Sequence, residues 1–385
     1  MPLATGLKLG AVASALFLVA GCRPVITRQI ASGPHALGCA PASCGDSENL
    51  VSVTYLGISG ILVEHHGHAL LTSPFFSNPR FGARGPSALR HIAERVVTDD
   101  ELLAATWVGS GPVINADTAA IERLLPRSAD RASVILVGHG HYDHLLDVPY
   151  IATHRAKSAV IFGGPSIHHM LMGDPNLRSN PTRVAVIPKD SAGDFSRNGR
   201  WYYSPDSAFR FMAIVAGHAP TVRIGNLPYA FGAGAVLADL DSLPRTAGEW
   251  KLGEPYAFLI DVLGGSTRSP IFRIYFQDAP TEPPLGFPSA AVLAARGVDL
   301  AILCAATSSN VHAAPDSLLR VLKPGGVLVT HWESFFRPQF QPRTLSLVTN
   351  LRLFTRSLRR ALPPKTGWVM PLPHQTIRFR VSDRS

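Results

Sequence analysis

Charged side chains are scarce in this chain. Lys and Arg (36) with Asp and Glu (27) amount to 16% of 385 residues, against 46% hydrophobic ones. That balance permits a sizeable core and excludes global disorder. The 33 glycines and 32 prolines make it loop-rich but follow no period, which excludes collagen, coiled coils and helical arrays. No long basic run and no nucleic-acid-binding signature accompany the net charge of +9. An anionic membrane surface or an anionic substrate suits that charge at least as well as nucleic acid, and no nucleic-acid partner is expected. The length fits one large α/β domain or two modest ones.

A long apolar run is missing too. The run from Leu9 to Ala20, after Lys8, is about a dozen residues, whereas a bilayer span needs ~20. It fits the apolar region of a secretory signal and ends in Val19-Ala20-Gly21-Cys22. Small residues before a cysteine resemble a bacterial lipobox. That resemblance implies a signal peptide over 1–21, a lipid on Cys22, and export to a bacterial membrane. Arg23 rather than Asp follows the cysteine, a pattern that goes with the outer membrane facing the periplasm. An ordinary signal with a chance cysteine and an uncleaved anchor are the alternatives. Residues 22–49 read as a tether that could extend roughly 90 Å. Only four cysteines are present. Cys39 and Cys44 are disulfide candidates in an exported compartment. The rival reading, metal ligation by that pair, lacks a second pair to complete a site. Cys304 lies in an apolar run and reads as a buried thiol.

Order is expected from Leu50. Val51 to Leu56, Ile61 to Glu64 and Ala69 to Thr72 alternate between turns, a three-stranded meander. His65, His66 and His68 fall at one of its turns and read as a solvated turn rather than a metal cluster. Further on, strand patterns alternate with helical ones: Thr118 to Leu125, Val148 to Ala156, Ser166 to Met172, Ala290 to Arg296 (with Ser289 as N-cap) and Pro315 to Leu322 are helical. Sheets covered by helices follow.

The most informative segment is His139-Gly140-His141-Tyr142-Asp143-His144, placed straight after the apolar strand Ser133 to Val137. Imidazole and carboxylate are ligands for Zn- or Fe-type ions. A strand end puts His139 and His141 on one side, and a turn can aim Asp143 and His144 at a second ion. Two ions about 3.5–4 Å apart can share one ionised water and clamp a displacement. More ligands are needed, and three single residues stand at apolar strand ends: His218, Asp278 and His331.

With these residues the chain resembles the metallo-β-lactamase superfamily over about residues 50–380. The resemblance implies an α+β fold of αββα type, two mixed β-sheets sandwiched between helices. It implies that His139, His141 and His218 bind one metal, that Asp143, His144 and His331 bind a second, and that Asp278 bridges both. Asp143 and Asp278 are thereby the catalytic carboxylates of a binuclear hydrolase, with Zn2+ as the first choice and Mn or Fe as alternatives. A narrower resemblance joins His141-Tyr142-Asp143-His144-Leu145, His331-Trp332-Glu333-Ser334-Phe335 and Leu71-Thr72-Ser73-Pro74-Phe75-Phe76-Ser77 to the N-acyl-phosphatidylethanolamine phospholipase D and ascorbate-6-phosphate lactonase group. The chain departs from that group at Ser73 (Asp there), Ile58 (His) and Gln277 (Gly), and Asp147 comes one residue late. An ester or phosphodiester, lipid-like in the favoured case, is the expected substrate. A lactone or β-lactam amide is the alternative, and a non-catalytic metal-binding lipoprotein the other. Tyr142 reads as packing or as a leaving-group acid. Pro228 to Leu240 reads as an inserted strand pair or short helix, or as a lid or membrane-touching loop. Thr344 to Leu362 reads as a cover helix with a basic outer face, or as a surface for lipid headgroups.

Overall fold

A computed structural model describes residues 49–78, 113–220, 232–264, 268–336, 338–341, 343–346 and 348–381. It also describes 25–26, 32–33, 35–39, 44, 222–224 and 227–229. Residues 1–21, expected to be a signal peptide, and Cys22 lie outside the described residues, as does Leu347.

Fourteen strands build the body: β1 Leu50–Gly57, β2 Gly60–His65, β3 His68–Thr72, β4 Ala132–Leu136, β5 Val160–Gly163, β6 Val184–Val186, β7 Tyr202–Tyr203, β8 Phe209–Val215, β9 Tyr256–Gly264, β10 Ser269–Gln277, β11 Leu300–Cys304, β12 Gly326–Thr330, β13 Gly367–Val369 and β14 Thr376–Arg380. They form two seven-stranded sheets, ordered β14-β1-β2-β3-β4-β5-β6 and β13-β12-β11-β10-β9-β8-β7. Each sheet is antiparallel in one half and parallel in the other. The parallel strands are short, continuous apolar runs, the pattern of strands covered on both faces.

Alternation along the strands sorts the core into layers. Val51, Val53, Tyr55, Ile61, Val63 and Leu70 of the first sheet share a cluster with Phe211, Phe258 and Ile260 of the second. Their neighbours Leu62, Leu71 and Ile135 point the other way, onto Ile121, Leu145, Ile167 and Met170 of helices, as a two-residue period requires. The helices that cover the first sheet are α1 Thr118–Leu124, α2 Tyr142–Leu145 and α3 Pro165–Leu171. The second sheet is covered by α4 Ala290–Ala295, α5 Asp316–Leu322 and α6 Leu351–Ala361. Val292, Leu319, Leu322, Phe354 and Leu358 supply their buried faces. The αββα sandwich expected of the metallo-β-lactamase fold is the observed architecture. Ser289 caps α4 by accepting from Val292 N, as its sequence position predicts. The covering helix near the C-terminus starts at Leu351, later than Thr344, because Asn350 caps it and Thr344 is in a strand instead.

Two expectations need correcting. The stretch 22–49 is not a free tether where it is described. Val25–Ile26 pairs with Arg343–Thr344, Gly33 N donates to Trp368 O at 2.9 Å, and Cys39 N donates to Arg378 O at 2.8 Å. Backbone bonds along sheet edges need no side-chain period, so the sequence carried no sign of them. Within this stretch Cys39 and Cys44 form a disulfide, with Cα atoms 5.4 Å apart. The histidine turn is also only partly solvated: His66 and His68 are exposed, but His65 is buried and its Nδ1 lies 3.0 Å from Leu50 O.

One buried ion pair ties the second sheet to its helices. Arg273, 1% exposed, meets Asp261, 0% exposed, through Nε (2.6 Å) and Nη2 (2.9 Å). Its Nη1 donates to Val292 O, which also takes the Arg296 N–H, and to Arg296 O at the end of α4. Removing one member of such a pair strands a charge in the interior. Asp261→Ala is expected to lower stability by about 3–5 kcal/mol, read as a lower urea midpoint at unchanged slope. An unshifted midpoint would refute this role.

Candidate metal centre

The centre forms where strand ends from both sheets meet. β4 is buried along its whole length and ends just before Val137. Gly138 follows because nothing larger fits: a Cβ there would lie 2.3 Å from Asp278 Oδ2. His141 caps α2, which turns Asp143 and His144 away from the strand direction. His218 follows β8, Asp278 directly follows β10, and His331 directly follows β12. The structure therefore brings all seven ligand candidates together.

They fall into three overlapping groups, each with ligand atoms within 4.8 Å of one another. His139, His141 and His218 make the first, with all three ring centroids 4.8 Å apart. Asp143, His144 and His331 make another, with Asp143 Oδ2 3.2 Å from His331 Nε2 and 3.5 Å from His144 Nε2. His139, His144 and Asp278 make the third, so Asp278 touches both sets. Its Oδ1 is 3.1 Å from His139 Nδ1 and its Oδ2 is 3.5 Å from His144 Nδ1.

The donor chemistry fits divalent cations. His139 Nε2, His141 Nε2, His144 Nδ1 and His331 Nδ1 are buried without a hydrogen-bond partner, a costly state for polar atoms. Acceptors face two of the other ring nitrogens. His218 Nδ1 faces the Ala219 carbonyl at 2.6 Å and His139 Nδ1 faces the Asp278 carboxylate. A carbonyl can only accept, so His218 Nδ1 donates there, which leaves its Nε2 lone pair for a ligand; an ionised Asp278 would fix His139 in the same way. Burial, with nearby His144 and His218 among the other causes, holds His139 well below the ordinary imidazole range. Burial and its neighbours His139 and His218 do the same to His141. Unprotonated imidazole is what a metal requires. Burial raises the Asp143 carboxyl, but His144 and His331 outweigh it and hold it well below its usual value. Burial lifts that of Asp278.

The departures from the narrower group have definite places. Ser73 adopts a positive φ of 32° and its hydroxyl lies 3.3 Å from Asp278 Oδ2, a neutral donor onto the shared carboxylate. Ile58, also left-handed (φ 55°), is fully buried. Gln277 is buried beside Gly286. Asp147 accepts from Phe76 N (2.6 Å) and Ser77 N (3.0 Å), and from the Ser77 hydroxyl. It thereby ties the 73–78 loop to the motif helix, and burial pushes its carboxyl up to about 6. Tyr142 packs between Phe75 and Phe335, with centroids at 6.1 and 6.3 Å. Gly232 lies against His141: a Cβ on it would be 3.1 Å from the ring. The loop beyond Gly232 is largely exposed rather than inserted in the core, with Leu237 86% exposed.

Glu333 escaped sequence reasoning as a functional residue. It is 0% exposed, with Oε2 2.5 Å from the Tyr55 hydroxyl and Oε1 3.0 Å from Ile58 N. Burial and this carboxylate raise the Tyr55 phenol well above its ordinary value, so it keeps its proton and donates. The available signal was a charged residue two positions after the ligand candidate His331, just past the end of β12.

No family model and no curated protein matches the chain. Solved structures are similar in outline. Igni18, a metallo hydrolase from Ignicoccus hospitalis, matches over 86% of this chain and 98% of its own, with TM-score 0.44 and 13% identity. YhfI of Bacillus subtilis, a metallo-β-lactamase fold protein, matches over 86% and 99%, with TM-score 0.42 and 11% identity. CmlA of Streptomyces venezuelae, a diiron β-hydroxylase, matches over 87% of this chain but 54% of its own, with TM-score 0.42 and 15% identity. At TM-scores below 0.5 these likenesses carry no argument about chemistry, which rests on this chain's own side chains.

The two ligand sets should be separable. His218→Ala is expected to keep only the ion held by Asp143, His144 and His331, and His331→Ala only the other. Metal per chain after dialysis checks this; two ions retained in both variants would contradict the assignment.

Proposed function

We propose that the chain is a metal-dependent hydrolase with two divalent ions, acting on an ester or phosphodiester. The observation that carries this reading is the cluster of five histidines and two aspartates whose ligand atoms lie within 4.8 Å of one another in three overlapping groups, with buried imidazole nitrogens that have no hydrogen-bond partner among them. Bound ions would acidify water and polarise an ester or phosphoryl oxygen.

The chain's own residues prepare that chemistry. His139, His141 and His218 would hold one ion, and Asp143, His144 and His331 the other. Asp278 lies within reach of both, steadied by Ser73 Oγ and His139 Nδ1. With Asp278 ionised, the proton on His139 Nδ1 stays on the Asp278 side, so the opposite nitrogen points into the cluster. Phe75, Tyr142 and Phe335 wall the α2 side with apolar rings and exclude water there. Tyr142 is thus a packing residue in this reading. Ser73, Asp147 and Glu333 act behind the ligands.

A lipid-like substrate is the favoured class, and Zn2+ the favoured ion. Support comes from the motif segments at 71–77, 141–145 and 331–335, and from the lipobox-like Val19-Ala20-Gly21-Cys22, which would anchor the protein to a membrane. Leu237, on the same loop as Gly232, is an exposed apolar side chain.

Purified protein is expected to cleave bis-p-nitrophenyl phosphate in a chelator-sensitive manner. His141→Ala and Asp278→Ala should each lose at least about 100-fold, some 2.7 kcal/mol of barrier. A lactone and a chromogenic β-lactam are run beside it. Turnover of only those two would move the substrate class. Two bound ions with no turnover on any of the three would overturn the enzyme reading in favour of a structural metal site.

A further inference from the structure

Three residues near the candidate centre have backbones in the left-handed region without being glycine: Ile58 (φ 55°), Ser73 (φ 32°) and His331 (φ 52°). The conformation is unfavourable for any residue with a Cβ and most of all for a β-branched one such as Ile58. Something must hold Ile58 there, since a β-branched side chain does not ease the turn; histidine visits this region more readily, and the His331 backbone is held as well.

The holding contacts converge on Glu333. His331 N is 2.8 Å from Ile58 O and 3.2 Å from the Tyr55 hydroxyl oxygen. Glu333 Oε1 accepts from Ile58 N at 3.0 Å, and Oε2 accepts the Tyr55 proton at 2.5 Å. The ring of contacts closes: Glu333 grips Ile58 and Tyr55, and those two grip the backbone of His331. Glu333 is fully buried, and among the described residues no Lys or Arg pairs with it. Burying a carboxylate without a cation is expensive unless its oxygens receive strong donors. A purely packing role would be filled at lower cost by an apolar side chain.

We propose that Glu333, acting through Tyr55 and Ile58, is a positioning residue that sets the His331 backbone in its left-handed turn and so aims the imidazole at Asp143 and His144. The proposal rests on the two-ion reading above. It predicts a selective effect. The ion held by Asp143, His144 and His331 depends on Glu333, while the one held by His139, His141 and His218 does not. It also gives Ile58 a part: its main-chain N–H and C=O do the work, and its side chain packs in the core.

The test is Co2+ titration of the full chain against a competing chelator, with parent, Glu333→Ala, Glu333→Gln and Tyr55→Phe compared. Loss of a partner behind a ligand typically weakens metal binding by about 10–100-fold, and that is the change expected for the second ion in Glu333→Ala. The first ion should stay within about threefold. Glu333→Gln should largely restore the parent, because its amide oxygen can still take the Ile58 N–H. Tyr55→Phe should weaken the second ion by a smaller factor, and it serves if Glu333→Ala does not fold. Parental affinity for both ions in Glu333→Ala or, failing that, in Tyr55→Phe would overturn the proposal. So would an equal loss at both sites accompanied by lower melting of the metal-free protein, which marks a general structural role. A parent that binds fewer than two ions would instead refute the two-ion reading.

Discussion

Five imidazoles and two carboxylates (His139, His141, His144, His218, His331, Asp143 and Asp278) are packed against one another and largely removed from water. Such a cluster is unfavourable by itself. Burial opposes protonation of His139, His141 and His218 and ionisation of Asp278, and unpaired nitrogens forfeit hydrogen bonds with water. Divalent cations relieve all three difficulties at once. The arrangement makes physical sense as a metal receptor and has no evident sense as a core.

The rest of the fold holds that cluster in place. Ligands come from loops after β4, β8, β10 and β12, so both sheets must be in register before the cluster exists. Rigid support is needed because a small displacement of one ligand spoils an ion's coordination. It is supplied by the shared core between the sheets, by the Arg273–Asp261 pair on the far side, and by Asp147 and Glu333 beside the motif segments. The backbone strain at Ile58, Ser73 and His331 sits where the ligands are aimed, which is where strain is tolerated when surroundings over-determine it.

Much of this was legible in the sequence. Apolar strands with period two and capped helices are local signals, and β1 to β4 lie close to their expected positions, whereas the two-residue β7 had no sequence sign. The His139–His144 segment was visible because its residue types sit at fixed spacing behind a buried strand. His218, Asp278 and His331 were visible as single polar residues at apolar strand ends. What could not be read is non-local. The role of Glu333 depends on Tyr55 and Ile58, far away in the chain and brought together by the closing of the sandwich. The attachment of Val25, Ile26, Gly33 and Cys39 depends on backbone bonds to strands of the body and its margin, which leave no trace in side-chain type. Ser73 could be flagged as a departure, but that its hydroxyl would meet Asp278 was a matter of geometry.

The most direct test of the account is anomalous diffraction from crystals of the protein grown with zinc, recorded on both sides of the metal edge. The account predicts two peaks, one enclosed by His139, His141 and His218 and one by Asp143, His144 and His331, with Asp278 between them. A single peak, or none at this cluster with zinc in excess, would contradict it.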